Sequence, residues 1–214
     1  MDPAGDDPYE RAEVGVGPWP GEWPDDPRLD PELLEHGDRR NVVDKYRYWR
    51  RDAVVADLDL HRHEFHVAIE NWAHDMNIGS VVRTANAFLA REVHVIGRRR
   101  WNRRGAMVTD RYQHVRHHDD LAAFAAWADA ERLEVVGIDN LPGAVPLEST
   151  RLPQACVLLF GQEGPGLSAE AHAVAGTVCS IAQFGSTRSI NAGVAAGIAM
   201  HAWIRQHADL GRSN

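Results

Sequence analysis

The 214-residue chain is short of three things: it has two cysteines, a single lysine and no long apolar run. Cys156 and Cys179 cannot make a disulfide framework, so stability must come from a buried core, and the thiols are expected to be reduced in a cytoplasmic protein. No apolar segment approaches the roughly 18 residues that a membrane helix requires. The opening MDPAGDDPYE is acidic where a secretory leader would be basic and then apolar. The phosphate-loop, dinucleotide-binding, paired-histidine metalloprotease and serine-nucleophile signatures are absent as well. What is present is ordinary for a globular protein: 44% hydrophobic and 25% charged residues, with 18 glycines and 11 prolines. That composition excludes collagen, a coiled coil and a wholly disordered chain, and the length suits one or two domains.

The net charge of −8 argues against a nucleic-acid partner only until it is resolved along the chain. Residues 1–38 carry a net −10, residues 39–118 a net +7 and residues 119–214 a net −5. An acidic head therefore precedes a basic segment, an asymmetry that points to nucleic acid or to an autoinhibitory tail. Of the 23 basic residues 22 are arginine, the side chain suited to bidentate phosphate contact and to stacking on bases. The densest run, Arg98-Arg99-Arg100-Trp101-Asn102-Arg103-Arg104, interleaves an aromatic with five guanidiniums and is the candidate RNA-binding loop. The acidic head, folded over that loop, would discourage nonspecific binding.

Residues 1–40 are rich in Pro, Gly, Asp and Trp without a period and read as an extended or partly disordered acidic arm, in which Trp19 and Trp23 could act as pins. Residues 41–64 read as a short helical lead-in and 65–210 as the main domain. Strands are expected at 65–69, 93–96, 133–138, 155–160 and 178–181. Apolar residues at helical spacing predict helices over 78–90, with Ser80 as a cap, from about 121, from Ser168, and over 190–207. Alternating strands and helices imply an α/β fold: a parallel sheet covered by helices.

Three segments place polar residues or glycines directly after an apolar strand, which is where open α/β sheets bind ligands. The first contains NIGSVVRTANAF, with Asn77 and Arg83. The second is LLFGQEGPGLS, a tight loop with Gly161, Glu163 and Gly166 whose backbone can approach a ligand closely. The third is SIAQFGSTRSINAGVAAGIAM, with Ser189 and Asn191 before a helix rich in small residues that another backbone or subunit could approach. Taken singly, each has a bland reading: a surface ion pair for Arg83, a plain turn, ordinary helix packing.

Together and in this order they resemble the SpoU/TrmH family of SPOUT-class RNA ribose 2′-O-methyltransferases, over about residues 65–207. Ala182 stands where that family usually has proline, and Ile190 where leucine is usual; both keep an apolar floor. The resemblance implies a parallel α/β sheet with a deep C-terminal trefoil knot, a homodimer, and S-adenosylmethionine held largely by backbone groups at Leu159, Gly161, Gly166, Ile181 and Ile190. It implies methyl transfer to a ribose 2′-hydroxyl of RNA, tRNA slightly ahead of rRNA, with Arg83 as the catalytic arginine. A guanidinium essentially never deprotonates, so an orienting and charge-stabilising role suits Arg83 better than that of a base. Glu163 would hold Arg83, and Asn77, Ser189 and Asn191 would orient the nucleotide. The alternative is a non-catalytic knotted protein that binds RNA or the cofactor.

No membrane partner and no metal are expected. His61, His63 and His66 cluster in sequence, as do His114, His117 and His118, but no cysteine pair stands near them. Cys156 and Cys179 lie in apolar strands and read as small core residues.

Overall fold

The computed structural model describes residues 15–72 and 77–212. The first fourteen residues of the acidic head, residues 73–76 inside the first motif segment and the last two residues lie outside the described residues. The chain divides into two compact units, one running to Ala56 and one from Asp57.

In the first unit, the stretch from Gly15 is tied together by local polar contacts. Helix α1 (Pro31–His36) starts from Asp30, whose side chain accepts from the Glu32 N–H, with proline at the first helical position, and it stops at Gly37 (φ 88°). Asp38 is the hub. Its buried carboxylate takes Arg40 Nε at 2.8 Å, Arg40 Nη2 at 2.6 Å and the Tyr48 N–H at 2.9 Å. The Tyr48 hydroxyl donates to Gly17 O at 2.6 Å, and Trp19 meets the Tyr48 ring edge-on at 5.2 Å. Trp23 is exposed. Helix α2 (Arg51–Asp59) follows.

The second unit is built on seven parallel strands: β1 (His66–Asn71), β2 (Val93–Gly97), β3 (Val115–His118), β4 (Glu134–Ile138), β5 (Val145–Pro146), β6 (Cys156–Phe160) and β7 (Thr177–Ser180), in the order β3-β2-β1-β6-β4-β7-β5. The central strand β6, CVLLF, is buried at every position, as a strand covered on both faces should be. Helices α3 (Ile78–Ala87) and α6 (Ala192–His207) enclose one apolar cluster with Phe65, Val67, Ile69, Leu158 and Trp203. Helices α4 (Leu121–Ala130) and α5 (Ala169–Val174) enclose the other with Ala68, Ile96, Leu159 and Phe124. The alternation of β1 side chains between the two clusters follows from the two-residue period of a strand.

The anticipated strands and helices are all present, with ends that coincide or shift by up to three residues. Strands β3 and β5 were not anticipated: VRHH and Val-Pro lack an apolar pattern because they lie at the two edges of the sheet. Ser80 does not cap α3; it sits in the first turn, and Asn77 occupies the capping position. Asn77 makes no capping bond either, because its side chain is engaged elsewhere.

Candidate functional site

The three motif segments meet beyond the carboxyl ends of β1, β6 and β7. Asn77, at the start of α3, donates through Nδ2 to Glu163 Oε2 at 2.5 Å. Asn191 donates through Nδ2 to Asn77 Oδ1 at 2.9 Å and to Glu163 Oε1 at 3.3 Å. The other end of the Asn191 amide, Oδ1, accepts from the Gly193 and Val194 N–H groups and so caps α6. One residue from each segment thus enters a closed ring of hydrogen bonds around a carboxylate.

The second segment is shaped by glycine. Gln162 and Gly166 exchange backbone hydrogen bonds at 3.1 and 3.0 Å, which pinches the loop shut. A Cβ on Gly161 would lie 2.0 Å from the Gly166 carbonyl group, so no other residue fits there without moving the loop. Gly166 has φ 73°, a conformation that favours glycine.

Four residues that the motif reading passed over hold these loops in place. Buried Glu70, at the end of β1, accepts from the Trp72 indole at 2.8 Å and from the Ser168 N–H at 2.9 Å. The Trp72 N–H donates to Gln162 Oε1 at 3.1 Å. Asp139, after β4, accepts from the Leu167 N–H at 2.7 Å. Asn71 donates through Nδ2 to the carbonyls of Arg98 and Arg100 at 2.6 and 3.1 Å, which ties the basic loop to β1. The available signal was a polar pair, Glu70-Asn71 or Asp139-Asn140, at the end of an apolar strand.

The arginine-rich loop is seated directly on α3. A Cβ on Gly79 would meet Ala106 N and Gly105 Cα at 2.8 Å and Asn102 O at 2.9 Å. Helix and loop therefore touch backbone to backbone. Arg98, Arg99, Arg100, Arg103 and Arg104 are all exposed, and the Arg103 guanidinium lies 5.6 Å from the Trp101 ring centre. Arg83 projects exposed from α3; among the described residues it has no hydrogen bond or ion pair. The expected Arg83–Glu163 contact is thus not formed: the Glu163 carboxylate is turned to the two asparagines. Ser189 is exposed beside Asn191.

The residues assigned to cofactor binding lie around the same loops. Leu159 is fully buried in the α4/α5 cluster, so only its backbone faces this end of the sheet. Gly161 is buried, Gly166, Ile181 and Ile190 are half-buried, and Ile181 packs on the α3/α6 cluster. In the third segment, Gln183 Oε1 is buried without a partner among the described residues. A buried acceptor left open in this segment is what a ligand bearing an exocyclic amino group would satisfy. Cys156 and Cys179 are buried in β6 and β7, and burial pushes the Cys156 thiol up to about 12, so neither is a nucleophile.

Comparison with known proteins agrees with this arrangement. The model of the SpoU rRNA methylase family matches residues 64–201. An uncharacterized tRNA/rRNA methyltransferase of Mycolicibacterium vanbaalenii is 33% identical over 155 residues, 65% of this chain and 46% of that protein. The SpoU methyltransferase AviRb of Streptomyces viridochromogenes, solved in complex with AdoMet, is 25% identical with a TM-score of 0.62, covering 70% of this chain and 60% of that one. A structure described as giving insight into 2-OH methylation of C/U34 on tRNA is 29% identical with a TM-score of 0.57, covering 67% of this chain and 96% of that one. The chain spans about half the length of the curated relatives it matches. Among its described residues no helix is long and apolar enough to cross a membrane. With the family's motif segments joined at one end of a parallel sheet, and the family model matching well over half its length, the chain belongs to the SpoU rRNA methylase family.

Proposed function

We propose that the protein transfers a methyl group from S-adenosylmethionine to a ribose 2′-hydroxyl of RNA, with tRNA favoured over rRNA. The observation that carries this reading is the ring of Asn77, Glu163 and Asn191, which gathers the three motif segments at one end of the sheet. The donor supplies an already activated methyl on a sulfonium. The 2′-oxygen attacks that carbon, the carbon–sulfur bond breaks and the hydroxyl proton passes to solvent. The protein's task is to position the two reactants, a contribution that can reach about 7–11 kcal/mol.

In this reading Glu163 fixes the amides of Asn77 and Asn191. Arg83, uncommitted to any carboxylate among the described residues, is available to orient the ribose-phosphate and stabilise charge growing on the 2′-oxygen. Ser189 would contact the nucleotide. The Gly161–Gly166 loop, Leu159, Ile181 and Ile190 would hold the donor, and the unpartnered Gln183 Oε1 suits its amino group. Arg98, Arg99, Arg100, Arg103 and Arg104 would bind phosphates. The strand order, with β6 inserted between β1 and β4, supports the trefoil knot of the family. The exposed Val194 and Ile198 on the small-residue helix α6 support a homodimer.

The test is calorimetry with S-adenosylmethionine, followed by methyl transfer from labelled donor to tRNA and rRNA pools and mapping of the modified ribose. Arg83→Ala should keep donor binding and lose transfer by about 100-fold or more. Absence of heat with the donor, or transfer by Arg83→Ala at the parent rate, overturns the assignment.

A further inference from the structure

The histidines that cluster in sequence are not the ones that meet in space. His66 opens β1, Glu92 immediately precedes β2, His94 lies within β2 and His118 ends β3. The register pairs Val67 with Val93 and Ala68 with His94. His66, Glu92 and His94 therefore project from one face of the sheet, the face covered by α4, near its amino-terminal edge. The motif segments lie beyond the other end.

Three imidazoles are linked nitrogen to nitrogen across these strands. His66 Nδ1 lies 3.1 Å from His94 Nε2, and His94 Nδ1 lies 2.9 Å from His118 Nε2. Glu92 Oε2 lies 3.7 Å from His94 Nε2. The His94 side chain is fully buried, and His66 and Glu92 are half-buried. Ligand atoms of His66, Glu92 and His94 all fall within 4.8 Å of one another. A tetrahedral ion with bonds of about 2.0–2.1 Å to imidazole nitrogen would set its ligand atoms about 3.3–3.4 Å apart. The observed 3.1 and 3.7 Å bracket that edge.

We propose that His66 Nδ1, His94 Nε2 and a Glu92 carboxylate oxygen form a binding site for one divalent transition-metal ion of the zinc class. Two imidazoles and one carboxylate suit Zn2+, Co2+ or Ni2+ and not the oxygen-seeking Mg2+ or Ca2+. The ion takes the place of the proton shared by His66 and His94. His118 then accepts from the His94 Nδ1–H, which fixes the tautomer that leaves Nε2 free, the usual task of a group behind a metal-bound histidine. Arg116 Nε sits 3.1 Å from Glu92 Oε2 and balances the carboxylate while no cation is bound; the ion takes over that oxygen as the half-exposed Arg116 side chain turns outward. Trp127 lies over His94, with ring centres 3.9 Å apart, and its indole nitrogen is buried with no acceptor among the described residues. The ion's work is structural: it joins the entering ends of β1 and β2, far from the reacting end.

The experiment is titration of the chelator-treated full chain, free of any histidine tag, with Co2+, then displacement by Zn2+. The expected result is one equivalent of Co2+ with the visible absorption of a low-symmetry, nitrogen-rich site, and a thermal midpoint raised by Zn2+. His94→Ala is expected to fold poorly because its side chain is wholly buried, so the half-buried positions decide. His66→Ala and Glu92→Gln should each weaken Co2+ binding at least tenfold and remove the Zn2+ shift while leaving the ion-free protein folded. Lack of a one-equivalent site in the parent, or a site retained by both variants, overturns the proposal.

Discussion

The two faces of the sheet are built on different principles. On the α3/α6 face the core is mostly aliphatic, with Phe65, Phe160 and Trp203 as its buried aromatics, and at its rim backbones come into direct contact, Gly79 against 102–106. On the α4/α5 face the core includes polar rings, with His94, His118, Phe124 and Trp127 packed within about 6 Å of one another. The first and third motif segments run into α3 and α6 on the first face, and the second runs into α5 on the other. The second face carries the largest polar cluster that no motif marks. Glycine-mediated contact specifies where backbones lie, and so leaves a fixed sequence signature. A packed ring cluster needs only side chains of suitable volume, and leaves none.

Four measurements sharpen that contrast. Phe124→Ala on the second face should cost about 3–5 kcal/mol of stability through the cavity it leaves. Its folded fraction should bind S-adenosylmethionine as tightly as the parent, which denaturant melts with and without the donor will check. Gly161→Ala should cost about 3 kcal/mol, because its Cβ would meet the Gly166 carbonyl at 2.0 Å, and should abolish donor binding in calorimetry. Equal loss of donor affinity in both variants would erase the distinction between the faces.

Glu163→Gln should cost less, about 1–2 kcal/mol, since one acceptor for the amides of Asn77 and Asn191 becomes a donor facing them. Hydrogen exchange should rise at the Gly193 and Val194 amides, which Asn191 caps. The smallest effect belongs to the first unit. Burial opposes ionisation of Asp38, but hydrogen bonds from the Arg40 side chain, the Arg40 N–H and the Tyr48 N–H outweigh it and hold the carboxyl below its ordinary 3.8. A lowered carboxylate stabilises the fold above pH 3.8, and that stability is lost as the pH falls through the folded value. Protection of the Tyr48 amide, taken relative to its intrinsic exchange rate at each pH, should therefore fall below pH 3.8 in the parent, while in Asp38→Asn it is already low at neutral pH.

The apolar strands β1, β2, β4 and β6 and the periodic helices α3 and α4 could be read from sequence because burial on known faces dictates their patterns. The convergence of Asn77, Glu163 and Asn191 could be read only through the resemblance, since no spacing says that residues 86 and 114 positions apart share a ring. The partner of Glu163 could not be read at all. The resemblance implies Arg83 as its partner, but the fold turns Glu163 to two amides and leaves Arg83 exposed. The order in residues 15–56 was hidden for a related reason. It rests on one buried aspartate and on Tyr48, polar residues at positions with no period.

The junction of Gly79 with residues 102–106 has no adjustable parts: peptide meets peptide, and no rotamer can take up slack. Side chains on the loop can be exchanged without changing its reach, whereas a single methyl group at Gly79 would lift the whole platform. Selection can thus retune the charge that the loop presents, arginine by arginine, while its seat on α3 stays in place.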